Sequence, residues 1–490
     1  MVSGSMGSPS ATQQNNRLTA GLPTFHYYPY GVIPPHVEPV LRALAPLTQA
    51  FHDAGFQLYL VGGSVRDALL RRDLSGADVD LTTNARPDDI ERVLKPFADS
   101  VWDQGRRFGT IGARMGPWTV EITTFRSDSY VDHSRKPEVD FGDDIETDLS
   151  RRDFTINAMA LDLSELRLVD PFGGLDDLLA KRLRTPSGPE VSFSDDPLRM
   201  LRAARFVAGL DLVPEGELVR AAKALAPRLE IVSAERIRDE LDKLMVVERP
   251  SPGLWFLVET GLADQFLPEL PALRLEQDPI HRHKDVLAHT IAVVDKTRPQ
   301  LVVRLAALFH DVGKPATRSY VRRAVTFHHH DVVGARMTRE RMRELRYPTE
   351  MVSDVTSLVE LHLRFHTYRL GWTDSAVRRY VRDAGPLLSE LNELTRCDCT
   401  TRNPRKAREL AQRMDQLEQR IGELQAQEQL DAMRPELDGR FVMEHLGIGP
   451  GRVVGDALKF LLAVRLDEGL LGEAEAIRRL DTWWAEQKQS

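Results

Sequence analysis

The chain has 490 residues, 42% of them hydrophobic, with 65 Lys and Arg against 73 Asp and Glu and a formal net charge of −8. That length holds two to four domains, and no apolar run is long enough to cross a bilayer, which excludes a membrane-embedded chain. Cys397 and Cys399 are its only cysteines, too few for a disulfide framework or a zinc site of their own, and they point to a reducing cytoplasm.

The opening MVSGSMGSPSATQQNN is small and polar, and residues 1–36 read as a disordered extension without a secretory signal. From Leu58 to Leu81 runs LYLVGGSVRDALLRRDLSGADVDL. Its LYLV predicts a strand, Gly62 and Gly63 a sharp turn, and Ser64 the cap of a helix with Val65, Ala68 and Leu69 on one face. Glycine lets a phosphate approach the backbone, first-turn amides point outward, and Arg66 adds positive charge. Asp78 and Asp80 alternate with Val79 and Leu81, so a strand puts both carboxylates on one face, where they suit Mg²⁺ shared with substrate phosphates. Asp-x-Asp alone is weak; the glycine turn before it gives the pair weight. Glu121, in the alternating WTVEITTF, either joins the acidic pair or forms a strand salt bridge. The stretch from Phe125 to Leu149 is polar and irregular. After Asp196 the pattern turns helical and stays so, as in SAERIRDELDKLM, VSDVTSLVELHL and LAQRMDQLEQRIGELQ, with strands confined to the first third. Near the end, EHLGIGPGRVVGDALKFLL joins a glycine-rich turn to a helix, suited either to gripping a phosphate or to packing.

Together with RRDFTINAMA (Arg151 to Ala160), VDPFGGLDDL (Val169 to Leu178) and DDPLRMLRAARF (Asp195 to Phe206), the Gly-Gly and Asp-x-Asp unit resembles class II tRNA nucleotidyltransferases, the bacterial CCA-adding enzymes in particular. The resemblance implies an α+β architecture: a small N-terminal polymerase-β-like nucleotidyltransferase head, a mixed sheet with helices, followed by a mostly α-helical neck, HD-type body and tail. The expected bounds are residues 37–185, 186–275, 276–402 and 403–490. It implies template-independent addition of CCA to a tRNA 3′ end from CTP and ATP, with Asp78, Asp80 and Glu121 catalytic and Mg²⁺ held by the aspartates. Gly62, Gly63, Arg66, Arg152, Asp153, Arg202 and Arg205 match nucleotide-binding positions, and Asp196 with Arg199 the base-reading ones. Three apart on a helix, that acceptor and forked donor sit side by side and suit the amino group and ring nitrogen that cytosine and adenine share and guanine and uracil lack. The polar stretch after Phe125 resembles the flexible loop that family members use to switch from C to A, which argues against a relative adding only cytidines. Asn157-Ala158-Met159 and the helical half favour the tRNA enzyme over poly(A) polymerases with the same head.

A second constellation, His289, adjacent His310 and Asp311, and Asp398, matches the spacing of HD-type metal hydrolases, and His330 and His362 extend it toward a two-metal site. Imidazoles with carboxylates suit a transition metal. Two rivals follow: a phosphohydrolase centred on this domain with a retained RNA-binding head, and a non-catalytic RNA-binding protein, which leaves the acidic pair without a purpose. The net charge is awkward for binding tRNA, the expected macromolecular partner through its acceptor arm. Local basic runs decide such binding, and Arg199 to Arg205 and TRNPRKARELAQR supply them.

Overall fold

The central sheet of the head combines alternating strands such as Trp118–Thr124 with a fully buried one, Leu58–Val61. The computed structural model describes residues 26–28, 31–33, 37–72, 74, 78–129, 138–142, 144–275, 285–321, 324–365, 372–399, 403–428 and 434–488. The head contains, in chain order, α1 (Glu38–Asp53), β1 (Leu58–Val61), α2 (Gly63–Leu69), β2 (Asp78–Thr83), α3 (Pro87–Leu94), β3 (Ser100–Trp102), β4 (Thr110–Met115), β5 (Trp118–Thr124), β6 (Ala160–Asp162) and β7 (Leu168–Val169). The sheet order is β7-β6-β1-β2-β5-β4-β3, mixed because β2 and β5 run parallel while the other neighbours are antiparallel.

One face of this sheet, with Leu58, Leu60, Val79, Leu81, Ile111, Val120 and Ile122, forms a core with Leu44, Leu47 and Phe51 of α1 and Ile90 and Leu94 of α3. On the opposite face, at the β1 end, Tyr59, Val61 and Ala160 pack with Phe125, Leu149 and Ala158. The segment just before β6 therefore covers part of the face on which the aspartates stand. Gly174 makes a second close approach: a Cβ there would come 2.1 Å from the Thr155 carbonyl oxygen, so only glycine lets the VDPFGGLDDL helix pack under RRDFTINA.

The chain forms two compact units, Met1–Arg199 with Leu212–Leu225, and Met200–Asp211 with Ala226–Ser490. The second is mostly helical, as expected. Its elements include α5 (Ala234–Met245), α6 (Val286–Lys296), α7 (Leu301–Phe309), α8 (His330–Glu344), α9 (Thr349–Leu361), α10 (Leu388–Asp398) and α11 (Pro404–Glu428), after α4 (Leu198–Gly209), which spans the boundary between units. α12 (Gly439–Leu446), α13 (Arg452–Glu468) and α14 (Glu473–Gln487) close on a small core of Leu437, Val442, Ala457, Leu461 and Leu480. Gly447, in the left-handed region at φ 66, ends α12, so the glycine-rich turn near the end does connect two packed helices.

Three expectations need correction. Strands are not confined to the first third: Arg318–Val321 pairs with Ala324–Phe327 as a hairpin just before α8. The stretch from Phe125 to Leu149 is more regular than its polarity suggested, since Arg126–Ser129 pairs with Glu138–Phe141 and Ile145–Ser150 is helical; residues 130–137, its middle, lie outside the described residues. Residues 26–28 and 31–33, within the expected disordered extension, pair as two short antiparallel strands.

Candidate active site

Asp78 and Asp80 emerge from β2 on the face turned away from the α1 and α3 core, and the parallel register sets Glu121 of β5 directly beside Asp80. Three carboxylates thus stand on one face of neighbouring strands. Burial raises the Asp80 pKa above the usual carboxylate range, Arg152 opposes the rise, and Glu121 and Asp78 reinforce it. A group so disposed gains from a cation that neutralises all three. Oxygen donors from neighbouring strands fit a hard divalent cation.

The glycine turn is fastened to this row by Ser64. Its hydroxyl accepts the Asp80 N–H at 3.2 Å and donates to the Asp78 carbonyl at 3.4 Å, so the start of α2 and the acidic strand are one piece. Ser64 was expected to cap the helix; Gly62 occupies that position, with φ 65, a conformation that glycine alone adopts at little cost. A Cβ at Gly62 would also stand 2.9 Å from an Arg152 Nη, which shows how closely that guanidinium lies over the turn.

Arg152 is itself held. Asp148, fully buried, accepts from Arg152 Nη2 and Arg151 Nη2, both at 3.0 Å. Burial acts to raise the Asp148 pKa, but the two guanidiniums, Arg152 first, outweigh it and hold the carboxyl below the usual range. Asp148 escaped the sequence reading, although its spacing of three and four from two arginines carried the signal. Arg66 lies beside the turn, its Nη2 3.6 Å from where a Cβ on Gly63 would stand. It donates to both oxygens of Asp67 at 3.1 and 2.8 Å and to Asn157 Oδ1 at 2.5 Å, and Asn157 in turn donates to Asp153 Oδ1 at 2.9 Å. Asn157 thus links Arg66 to Asp153 beside the turn.

Asp196 and Arg199 are near neighbours, but not on one helix face. Asp196 has extended backbone (φ −138, ψ 101) in the break before α4, and its Oδ1 accepts the Leu198 N–H at 3.1 Å. The residue before a proline is pushed out of helical geometry, and Pro197 follows. Arg199, on the first turn of α4, donates through Nη1 to Ser192 Oγ at 2.9 Å and through Nη2 to the Arg151 carbonyl at 2.6 Å. Its guanidinium is therefore fixed against the backbone of the residue next to Arg152. Arg202 and Arg205, farther along α4, belong to the second unit, where both pair with buried Glu240 at 3.6 and 2.7 Å.

The second unit assembles the other cluster from five helices. His289 stands on α6, His310 and Asp311 just past α7, His330 at the first residue of α8, His362 just past α9 and Asp398 at the end of α10. His289 Nε2 lies 2.9 Å from Asp398 Oδ1 and 3.3 Å from His310 Nε2; Asp311 turns Oδ2 to His310 at 3.2 Å and Oδ1 to His330 at 3.5 Å. Asp311 belongs to two triads whose ligand atoms lie within 4.8 Å of one another, one with His289 and His310 and one with His330 and His362. The Nδ1 atoms of His310, His330 and His362 meet the carbonyls three residues earlier at 2.8, 2.8 and 2.6 Å. A carbonyl only accepts, so each Nδ1 carries the hydrogen and each Nε2 faces the cluster. Among the described residues, the Nε2 atoms of His330 and His362 are buried without a hydrogen-bond partner. Burial, then neighbouring His310, pushes His362 down to about 4, which keeps it neutral and able to bind a metal. Imidazole and carboxylate donors in this arrangement fit transition-metal ions. Cys397 and Cys399 are partly buried free thiols that burial raises to about 11.

Comparison with known proteins follows this division. Residues 58–184 match the poly A polymerase head domain family, 211–273 a probable RNA and SrmB-binding site of polymerase A, and 286–421 the HD domain family. Such head and HD domains typically use divalent metals, in keeping with the histidine–carboxylate cluster of the HD domain. A CCA-adding enzyme of Streptococcus gordonii is 42% identical over 235 residues, 47% of this chain and 57% of that protein. The chain thus spans little more than half the length of such curated relatives. An A-adding tRNA nucleotidyltransferase of Deinococcus radiodurans is 34% identical over 445 residues, 87% of this chain and 95% of that one. The solved Bacillus stearothermophilus CCA-adding enzyme in complex with CTP shares the fold at 23% identity with a TM-score of 0.66, over 93% of this chain and all of that one. The near full-length likeness to the Deinococcus protein decides the matter: the chain belongs to the tRNA nucleotidyltransferase family, with a poly(A)-polymerase-type head and an HD domain.

Proposed function

We propose that the protein adds CMP, CMP and AMP in turn to the 3′ end of tRNA, taking CTP and ATP and releasing pyrophosphate. The observation that carries this reading is the carboxylate row Asp78, Asp80 and Glu121 fastened through Ser64 to a glycine turn under Arg152. Asp78 and Asp80, with Glu121 beside them, would hold Mg²⁺, which when bound lowers the pKa of the 3′-hydroxyl and neutralises the departing pyrophosphate. The turn at Gly62 and Gly63 lets the triphosphate approach the backbone. Arg152, steadied by Asp148, balances its charge from above the turn. Arg199, locked by Ser192 and the Arg151 carbonyl, presents a rigid donor beside Asp196, so that one reader accepts cytosine and adenine and leaves guanine and uracil with mismatched groups. Arg66 and Asp153 shape the pocket wall, and Arg202 and Arg205 supply positive charge in the neck. The four-part organisation of head, neck, HD body and tail, with the tail and body holding the tRNA acceptor arm, belongs to the same proposal, as does a cytoplasmic site of action. Among the described residues no helix is long and apolar enough to cross a membrane.

In the HD domain His289, His310, Asp311 and Asp398 would hold a transition metal, with His330 and His362 as donors to a second; the buried Nε2 atoms of the last two support this. Metal-dependent hydrolysis of a phosphoester is the activity such a centre suits.

One observation favours a narrower transfer reaction: the relative matched over 95% of its length is an A-adding enzyme. A single experiment separates the two. Purified protein is given tRNA transcripts ending at the discriminator base, after one C and after two, with CTP and ATP singly and together under Mg²⁺. CCA addition extends all three; A-addition extends only the last, by one nucleotide. No extension of any transcript refutes both.

A further inference from the structure

The carboxylate row divides its sheet face in two. On the β1 side lie the glycine turn and Arg152, the place given above to the triphosphate. Displacement at phosphorus is in line, with the attacking oxygen opposite the departing pyrophosphate. The 3′-hydroxyl, and the terminal nucleoside that carries it, therefore arrive from the other side, over β5, β4 and β3. There the register places Asp80, Glu121, Gly112 and Trp102 in a single row across four strands, so all four stand on one face. Ala113, one residue along, is buried in the core on the opposite side.

Gly112 carries no side chain where the row needs room. A Cβ there would lie 2.0 Å from Trp102 Nε1, 2.3 Å from Cε2 and 2.8 Å from Cζ2, so the indole reaches across the strand into the place next to Glu121. Trp102 is only half-buried and takes no part in the head core. Covering a glycine on the strand next to the sheet edge accounts for an aromatic ring at this position. Because Gly112 and Trp102 share the face of Asp80 and Glu121, the ring that covers the glycine also stands beside the acidic row, where it can serve a second purpose.

We propose that Trp102 is the stacking platform for the base at the growing 3′ end of the RNA, an assignment that rests on the nucleotidyl-transfer reading. The chemistry of the reaction favours stacking here over hydrogen-bond readout. The terminal base changes at each step, from whatever stands at the discriminator position to cytosine, and a π-face is the feature every base shares.

The test uses the full-length protein and tRNA transcripts whose 3′-terminal residue is 2-aminopurine, with Ca²⁺ in place of Mg²⁺. Stacking on the indole quenches the fluorescence in wild type and in Trp102→Phe, whereas Trp102→Leu, which keeps an apolar bulk without a π-face, loses the quench. In steady-state extension, Trp102→Leu raises KM for the transcript about tenfold whatever its last base and leaves KM for CTP and ATP unchanged, and Trp102→Phe restores the transcript KM. A Trp102→Leu variant with wild-type quench or wild-type transcript KM overturns the platform. So does an equal rise in the nucleotide KM. The binding readout separates the two claims: a wild-type protein that quenches but does not extend under Mg²⁺ refutes the transfer reading and leaves the platform standing.

Discussion

Asp80 and Asp148 are both partly or wholly withdrawn from water, yet they are stabilised in opposite ways, and this sets what each mutation does. Asp80 stands among like charges, a poor arrangement for folding and a good one for gathering a cation. Asp80→Asn keeps its shape and removes its charge; single-turnover CMP incorporation should fall at least about a hundredfold while the thermal midpoint holds. Asp148 stands among opposite charges. Its pKa is depressed in the fold, so its contribution is complete above the unfolded carboxylate value of about 4 and is lost as the pH falls through the folded value. Asp148→Asn should cost about 3 kcal/mol in urea unfolding at pH 7, with the gap to wild type closing as the pH drops below about 4. Because Arg152 loses its anchor, KM for CTP and ATP should rise in the same variant. A mutant with wild-type stability and nucleotide KM would show that the buried pair supports neither the fold nor the turn.

Where helices end, the second unit depends on one arginine. Arg304, fully buried on α7, donates to the carbonyls of Met245, Val247 and Glu248 at the end of α5 and to those of Thr297 and Arg298 after α6. Helix C-termini leave such carbonyls without intrahelical partners, and no other side chain carries five donors in a fixed fork. Arg304→Met should destabilise the helical unit by about 3–5 kcal/mol, read from its denaturant midpoint, and Arg304→Lys should recover only part. Nothing in the sequence announced this role, because its partners are 6 to 59 residues away and are all backbone atoms. What was legible had a short period. The common face of Asp78 and Asp80 was legible through strand alternation, as were α5, α9 and α11 through apolar residues three or four apart, whereas alternation left Glu121 open between the acidic pair and a salt bridge until the strand register set it beside Asp80. The break at Asp196 was legible too, through Pro197, but helical spacing on either side concealed it. The engagement of Arg66 with Asn157 spans 91 residues and follows from the packing of RRDFTINA over β1, which only the fold determines.

At the scale of the whole molecule, each unit carries its own kind of donor: carboxylates on neighbouring strands in the head, imidazole with carboxylate in the helical unit. Hard and borderline metals sort themselves between such sites by ligand type, so the two chemistries should come apart under mutation. Asp311 serves both histidine triads and His362 only one. Loading the protein with Mn²⁺ or Ni²⁺, removing loose metal by gel filtration and counting what remains should give about two ions per chain for wild type, about one for His362→Ala and essentially none for Asp311→Ala. Asp80→Asn should keep the wild-type count. Conversely, Asp311→Ala should extend tRNA transcripts under Mg²⁺ at a rate within about threefold of wild type, whereas any phosphoesterase activity of the metal-loaded protein should vanish with it. If Asp311→Ala abolishes extension while remaining folded by circular dichroism, transfer depends on the histidine centre, and the division of labour between the two donor sets is wrong.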